Sequence, residues 1–203
     1  MSVAGGIEKS VERAVDETFE AMQICVSAPR SFKPNTYSEQ QINCFNRFYK
    51  EAGMKFLVQH AIYLLNLGAQ KKSPLADKSI ESVIGYMRQG HEIGSVGSIV
   101  HTGSRFGGEG TKRAVAAIQE ILDETPVDQN FIIENAASPA RIGYDVTDFA
   151  RLYDGVKTRE RLKVCIDTQH IFAAGLDLSN PDLVDSWIEE FDSKVGCDQI
   201  ICL

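Results

Sequence analysis

The sequence lacks the features of several large protein classes. It has 203 residues and five scattered cysteines, with no C-x-x-C pair. Neither a disulfide framework nor a thiolate zinc site is therefore indicated, and the odd number of cysteines favours a reducing, intracellular setting, cytoplasmic or nuclear. No apolar run approaches the roughly 20 residues of a membrane span, so we expect no membrane partner.

Nucleotide-binding glycine motifs are missing as well. The segment G-G-E-G at 107–110 has neither Walker nor G-x-G-x-x-G spacing, so its glycines are expected to serve loop conformation. The net charge is −7, which taken alone argues against nucleic acid as a partner. Bulk charge does not describe one face of a protein, however, and bound metal ions add positive charge that the count omits.

Short apolar runs alternate with longer amphipathic segments along the chain. The runs are β-branched and not alternating, as is typical of strands buried on both faces of a parallel sheet; they cover 22–27, 55–60, 98–102, 130–135, 162–167 and 198–203. Helical patterns lie between them at 6–20, 38–52, 77–94, 111–124, 145–155 and 182–195. This order predicts one α/β domain over 1–203, either a doubly wound sheet or a (β/α)8 barrel.

Helix boundary signals support these segments. Ser38 precedes E-Q-Q-I, and Asn180 with Pro181 precedes an amphipathic run, as expected for helix N-termini. Gly53 follows the second helical pattern, where a C-terminal glycine is expected.

Polar residues close four successive apolar runs. They are His60, His101, Glu134 and Asp167, each about one β/α unit after the last. In a β/α barrel the C-terminal strand ends converge on the mouth, and two imidazoles with two carboxylates suit zinc or manganese. Each residue also has a plainer interpretation, such as a surface histidine or, for Asp167, a cap on the next turn. Four together favour a metal site.

Two further polar residues are assigned structural roles. His91 lies in an amphipathic helical segment away from any strand end, so we expect it to be structural or solvent-exposed. Cys165 precedes Asp167 by two residues on the same strand and is expected to pack as a small hydrophobe.

Several segments resemble the endonuclease IV family of apurinic/apyrimidinic (AP) endonucleases. They are S-V-A-G-G, A-P-R-S-F, F-L-V-Q-H-A-I-Y-L-L-N-L, I-V-H-T-G-S, F-I-I-E-N and V-C-I-D-T-Q-H-I-F-A-A-G. The resemblance implies a (β/α)8 TIM barrel of the AP endonuclease family 2, xylose isomerase-like type. It also implies a zinc-dependent DNA repair enzyme that hydrolyses the phosphodiester 5′ to an abasic site, leaving a 3′-hydroxyl and a 5′-deoxyribose phosphate.

The resemblance also implies roles for individual residues. His60, His101 and Glu134 resemble the complete ligand set of one zinc. Glu134, the catalytic residue, would bridge to a second zinc that Asp167 also binds, and His170, in the loop after the strand, would bind a third.

The implied partner is double-stranded DNA with an abasic site, bound by a monomer. Arg30 resembles the residue that inserts into the DNA, and Tyr63 resembles an aromatic residue near the extruded sugar. Basic residues in loops after strands are expected either to contact phosphates or to be solvated surface charges; they are Lys33, Lys71, Lys72, Arg105 and Arg141.

The chain departs from the family pattern at both ends. It begins at M-S-V-A-G-G and stops at D-Q-I-I-C-L, so we expect about six β/α units and a final strand, without most of the first strand and the last unit. Such a barrel would have two exposed sheet edges, and we expect it to be aggregation-prone and weakly active or inactive. The alternatives are a metal-dependent sugar isomerase of the same superfamily and a vestigial, non-catalytic DNA-binding protein.

Overall fold

The computed structural model describes residues 1–25, 27–28 and 30–203 and contains a six-stranded parallel sheet. Its strands are β1 (Ala21–Cys25), β2 (Phe56–His60), β3 (Gly97–Val100), β4 (Asn130–Glu134), β5 (Leu162–Cys165) and β6 (Ile200–Cys202). They neighbour one another in chain order, which is the arrangement of an incomplete (β/α)8 barrel. All six predicted strands are confirmed, although Val26 of the first run and Pro29 of A-P-R-S-F lie outside the described residues.

Helices separate the strands. They are α1 (Glu8–Asp16), α2 (Glu39–Glu51), α3 (Pro74–Glu92), α4 (Glu109–Asp123), α5 (Val146–Gly155), α6 (Thr168–Ala173) and α7 (Pro181–Lys194). Six of these occupy predicted helical segments, whereas α6 was not predicted because one and a half turns give too little periodicity to detect. No helix in the described ranges combines the length and apolarity needed to cross a membrane.

The predicted boundary signals act locally. Ser38 Oγ accepts the backbone N–H of Gln41, and Gln41 Oε1 accepts that of Ser38, so α2 begins with a reciprocal capping box. Asn180 Oδ1 accepts the N–H of Asp182 at the start of α7. Gly53 has a φ of +67° just beyond α2, a conformation that glycine adopts without steric cost.

The two faces of the sheet pack differently. Phe131, Ile133, Leu162 and Val164 are fully buried in a cluster shared with the helices. The opposite, inward face contributes a smaller cluster of Val58, Ile99, Ile132 and Cys165, which confirms packing for Cys165. Because side chains alternate along a strand, the residues two positions further along continue the inward series. Those residues are His60, His101, Glu134 and Asp167.

A buried arginine closes the opposite end of the sheet. Arg161, directly before β5, is 7% exposed. Its guanidinium donates to the carbonyls of Leu122, Gln129 and Pro126 at 2.7–2.9 Å and to Thr125 Oγ1 at 3.0 Å. Arg161 thus joins the start of β5 to the end of α4 and the segment that leads into β4.

The open sides of the sheet lie at β1 and β6. Within the described ranges, each of these strands pairs with one neighbouring strand only. The N-terminal amine of Met1 donates to the Gln23 carbonyl on the outer side of β1, and Arg13 holds the same N-terminal segment by donating to the carbonyls of Ser2 and Ala4.

Candidate metal centre

Glu134 stands at the centre of the predicted site. It ends β4, is 5% exposed, and places Oε2 at 3.0 Å from His60 Nε2 and 2.9 Å from His101 Nε2. His60 Nδ1 lies 2.7 Å from the Ala61 carbonyl, a contact that orients the ring with Nε2 toward Glu134. Three adjacent strands therefore bring two imidazoles to one buried carboxylate.

The electrostatics of this group favour an ionised carboxylate. Burial alone would raise the pKa of Glu134, but the hydrogen bonds from His101 and His60 outweigh it and lower the pKa to about 2. Burial opposes protonation of His60, yet its contacts with Glu134 and the Ala61 carbonyl raise the pKa of that imidazole. The centre is thus a buried carboxylate that its hydrogen bonds with two imidazoles keep ionised.

Asp167 and His170 approach Glu134 from the side of β5. His170 Nδ1 lies 3.7 Å from both Glu134 Oε1 and Asp167 Oδ2. Asp167 Oδ1 accepts the N–H groups of Gln169 and His170, so Asp167 caps α6 with one oxygen while the other faces the site. His170 therefore lies within α6, which corrects its predicted position in a loop; a short capped helix explains the difference.

These side chains form two donor groups that fit divalent metal ions. Ligand atoms of His60, His101 and Glu134 lie within 4.8 Å of one another, as do those of Glu134, Asp167 and His170. Glu134 belongs to both groups, as a bridging carboxylate does. Among the residues that the structure describes, the ion-pair partners of Glu134 are all histidines, and mixed imidazole and carboxylate donors suit zinc or manganese.

Two cavities border the centre. One of about 230 Å³ is lined by Tyr63, His101, Arg141 and His170, among others. A larger one of about 910 Å³ lies between the N-terminal segment and His60, with Tyr63 again in its wall. Tyr63 is 58% exposed and so stands between two openings beside the histidines. Arg30 is exposed in a turn that follows β1.

The sequence predicts either a phosphate contact or a solvated surface charge for Arg105. Its guanidinium donates to Asp145 Oδ2 at 2.8 Å and to Asp148 Oδ2 at 2.6 Å, and its Nε donates to the Arg141 carbonyl at 3.1 Å. These bonds join the loop after β3 to the loop and helix that follow β4. Arg105 is therefore not a solvated surface charge, because two carboxylates pair with it; the phosphate contact stays a prediction.

The other basic residues are dispersed. Arg141 borders the small cavity beside the histidines, whereas Lys71 and Lys72 line a groove between α3 and α4, and Lys33 is an exposed side chain. His91, which was expected to be structural or solvent-exposed, is exposed and pairs with Asp128 at 2.9 Å.

Asn135 carries no prediction from the sequence, yet it contacts two of the candidate ligands. It is 3% exposed; its side-chain amide bonds both backbone groups of Asp167, and its carbonyl lies 3.0 Å from His170 Nδ1. The only available signal was its place directly after Glu134 in F-I-I-E-N.

Comparison with known families gives a consistent result. Residues 11–201 match the xylose isomerase-like TIM barrel family. A probable endonuclease 4 from Halothermothrix orenii is 32% identical over 202 residues, which cover 98% of this chain and 72% of the relative. The corresponding protein of Chloroflexus aggregans is 31% identical, covering 100% of this chain and 72% of the relative.

Solved structures show the same relationship. Endonuclease IV from Thermus thermophilus superposes with a TM-score of 0.86 at 28% identity, over 98% of this chain and 72% of that one. A D-tagatose 3-epimerase-like protein superposes with a TM-score of 0.74 at 15% identity, over 98% of this chain and 73% of that one. At that identity the second likeness shows the fold alone.

Proposed function

The chain belongs to the endonuclease IV group of the xylose isomerase-like TIM barrel family, and on this premise we propose that it is a zinc-dependent endonuclease of base excision repair. It hydrolyses the phosphodiester on the 5′ side of an abasic site in duplex DNA, leaving a 3′-hydroxyl and a 5′-deoxyribose phosphate. The observation that carries the proposal is the buried Glu134 carboxylate between the Nε2 atoms of His60 and His101, at the strand ends where barrel enzymes keep their chemistry.

Glu134 is the shared ligand in this proposal. Its Oε2 faces His60 and His101, which with it would hold one zinc ion. Its Oε1 lies 3.7 Å from His170 Nδ1, and Glu134 would share a second zinc ion with Asp167, the other carboxylate of that donor group. His170 would bind a third. Clustered divalent ions supply Lewis acidity at the phosphodiester and positive charge for the leaving oxygen. Glu134 is the catalytic residue because it would be a ligand of both the first and the second zinc ion.

The residues around the mouth receive the DNA. Arg30 inserts into the duplex at the lesion, and the exposed ring of Tyr63 meets the extruded sugar beside the cavity that His101, Arg141 and His170 line. Moving a nucleotide out of the base stack of the duplex requires the least free energy where its base is already missing. We infer that residues 1–203 act as one domain, since all six strands share one sheet. We further infer that this domain acts as a monomer inside the cell.

Incision of a defined substrate tests the proposal. The substrate is a 5′-labelled duplex oligonucleotide with one tetrahydrofuran residue as a stable abasic site, incubated with the zinc-loaded protein. We expect one shorter labelled product, formed at a low rate, that a DNA polymerase can extend, because a 3′-hydroxyl is formed. An undamaged duplex should stay intact, and EDTA should stop the reaction.

Two substitutions link the activity to the centre. Glu134→Gln keeps the shape of the side chain but removes its charge, so incision should fall by about 100-fold or more. His91→Ala removes an exposed histidine outside the centre and should leave the rate unchanged. Equal rates for Glu134→Gln and the wild type would contradict the proposed role of Glu134.

The same preparation separates the alternatives. Conversion of an aldose to a ketose without incision would favour a sugar isomerase, the activity class suggested by the shared barrel fold alone. Binding of abasic duplex at saturating zinc without incision would favour a non-catalytic DNA-binding protein.

A further inference from the structure

Asn135 links the ends of two strands that carry candidate ligands. We propose that Asn135 is a positioning residue that fixes the backbone of Asp167 and restricts His170 to metal binding through Nε2. The inference rests on the proposed function, because it concerns the same centre. It makes two separate predictions, one about the zinc affinity of the centre and one about which nitrogen of the His170 ring carries the hydrogen.

The side-chain amide of Asn135 extends the sheet beyond its last backbone pair. The register of β4 and β5 ends at Glu134 and Cys165, two residues before Asp167. Beyond that point Asn135 Oδ1 accepts the N–H of Asp167 at 2.6 Å, and Asn135 Nδ2 donates to the Asp167 carbonyl at 3.0 Å. A primary amide offers the same donor and acceptor as a peptide group, so it holds Asp167 as a further strand residue would.

Fixing this backbone also fixes the carboxylate. Asp167 Oδ1 accepts the N–H groups of Gln169 at 2.7 Å and His170 at 3.1 Å, which leaves Oδ2 directed at the centre. Asn135 itself is 3% exposed, and buried hydrogen bonds of this kind hold one geometry because water cannot replace them. The position of Oδ2 therefore depends on Asn135.

The backbone carbonyl of Asn135 determines which ring nitrogen of His170 carries the hydrogen. His170 Nδ1 lies 3.0 Å from the Asn135 carbonyl, and a carbonyl only accepts, so Nδ1 carries the hydrogen. A protonated ring nitrogen has no lone pair for a metal ion. Although Nδ1 lies 3.7 Å from Glu134 Oε1 and Asp167 Oδ2, it does not complete a ligand set with them, and the ring offers Nε2.

A pair of amide variants tests the positioning role. Residues that orient metal ligands typically contribute about 10- to 100-fold to metal affinity, so Asn135→Ala should weaken zinc binding by that factor in competition with a chromogenic chelator. Gln129→Ala is the matched control, because Gln129 is also a buried amide that donates to a carbonyl, that of Ser95 at 2.7 Å, but it precedes β4 at the far end of the barrel. It should lower the denaturation midpoint and leave zinc affinity within about twofold of the wild type.

The two results have opposite meanings. Weaker zinc binding by Asn135→Ala, with a metal-free denaturation midpoint no lower than that of Gln129→Ala, supports the inference. Wild-type zinc affinity in Asn135→Ala overturns it and leaves Asn135 as a packing residue.

The ring of His170 is tested in the wild-type protein, without a variant that must fold. Long-range ¹H–¹⁵N correlation spectra of the zinc-loaded protein should show a protonated Nδ1 and a hydrogen-free Nε2 for His170. The reverse pattern, with the metal at Nδ1, overturns the inference. These readouts need no incision, so a protein that binds zinc as described but cuts no abasic DNA would refute the proposed function and leave the inference standing.

Discussion

The guanidinium of Arg105, in the loop after β3, reaches the fully buried carboxylate of Asp148 in α5 at 2.6 Å. Asp148 Oδ2 also accepts the backbone N–H groups of Gly143 and Tyr144, and Ser104 pairs with Arg141 in a short antiparallel bridge. The loops after β3 and β4 therefore behave as one unit, and both contribute to the small cavity beside His101.

Replacing Arg105 should destabilise this unit. In Arg105→Ala the buried Asp148 loses its close charged partner and keeps the exposed Arg151 at 3.9 Å, so we expect a loss of about 2–3 kcal/mol in the free energy of unfolding, measured by urea denaturation. Arg88→Ala is the control, since Arg88 pairs with Glu124 at 3.5 Å on the surface and exposed pairs contribute about 0–1 kcal/mol. Equal losses of unfolding free energy in the two variants would show that the Arg105 contact stabilises the protein no more than an exposed ion pair does.

The same cluster predicts a pH dependence. Burial alone would raise the pKa of Asp145, but the hydrogen bonds from Arg105 and from the Asp148 backbone N–H outweigh it and lower the pKa. A lowered folded-state pKa stabilises the protein above the unfolded value of about 3.9, and this contribution is lost as the pH falls through the folded-state value. Wild type should therefore be more stable than Asp145→Asn at pH 6.

Denaturation curves at several pH values check this prediction. The gap between the wild type and Asp145→Asn should narrow steadily below about pH 4. A gap of constant size down to pH 2 would assign the difference to altered packing instead of the charge of Asp145.

Arg161 should not tolerate lysine. Its planar guanidinium makes four hydrogen bonds to carbonyl and hydroxyl oxygens in a buried site, and a lysine ammonium cannot reproduce that geometry. We expect Arg161→Lys to lower the free energy of unfolding by about 2–4 kcal/mol. Retention of wild-type stability would mean that the ammonium or water satisfies the same oxygens.

Tyr63 should matter for DNA and not for folding. Tyr63 is 58% exposed, so Tyr63→Ala should change the free energy of unfolding by less than about 0.5 kcal/mol. Loss of an aromatic contact with DNA should weaken binding of abasic duplex by about tenfold, measured by fluorescence anisotropy. Phe19→Ala is the matched control, because Phe19 is 50% exposed near the start of β1, away from the centre.

Sequence patterns predicted the sheet and the main group of candidate ligands because both depend on local signals. Parallel strands appear as continuous apolar runs, and their C-terminal ends must converge, which brought His60, His101 and Glu134 together. Contacts between side chains distant in sequence left no such signal. Arg105 and Asp148 are 43 residues apart, and the role of Asn135 depends on Asp167, 32 residues later. The short helix α6 has too few turns for a periodic pattern.

Substitutions at the two ends of the barrel should have different effects in a cell. Arg161 joins carbonyls where the strands begin, while Glu134 meets its histidines where they end. Substitutions at Arg161 should lower the amount of folded protein in a cell, because unfolded chains are degraded. Those at Glu134 should leave protein levels normal and remove only the activity. A screen that measures abundance and survival of DNA damage together would sort variants by the end of the barrel they alter.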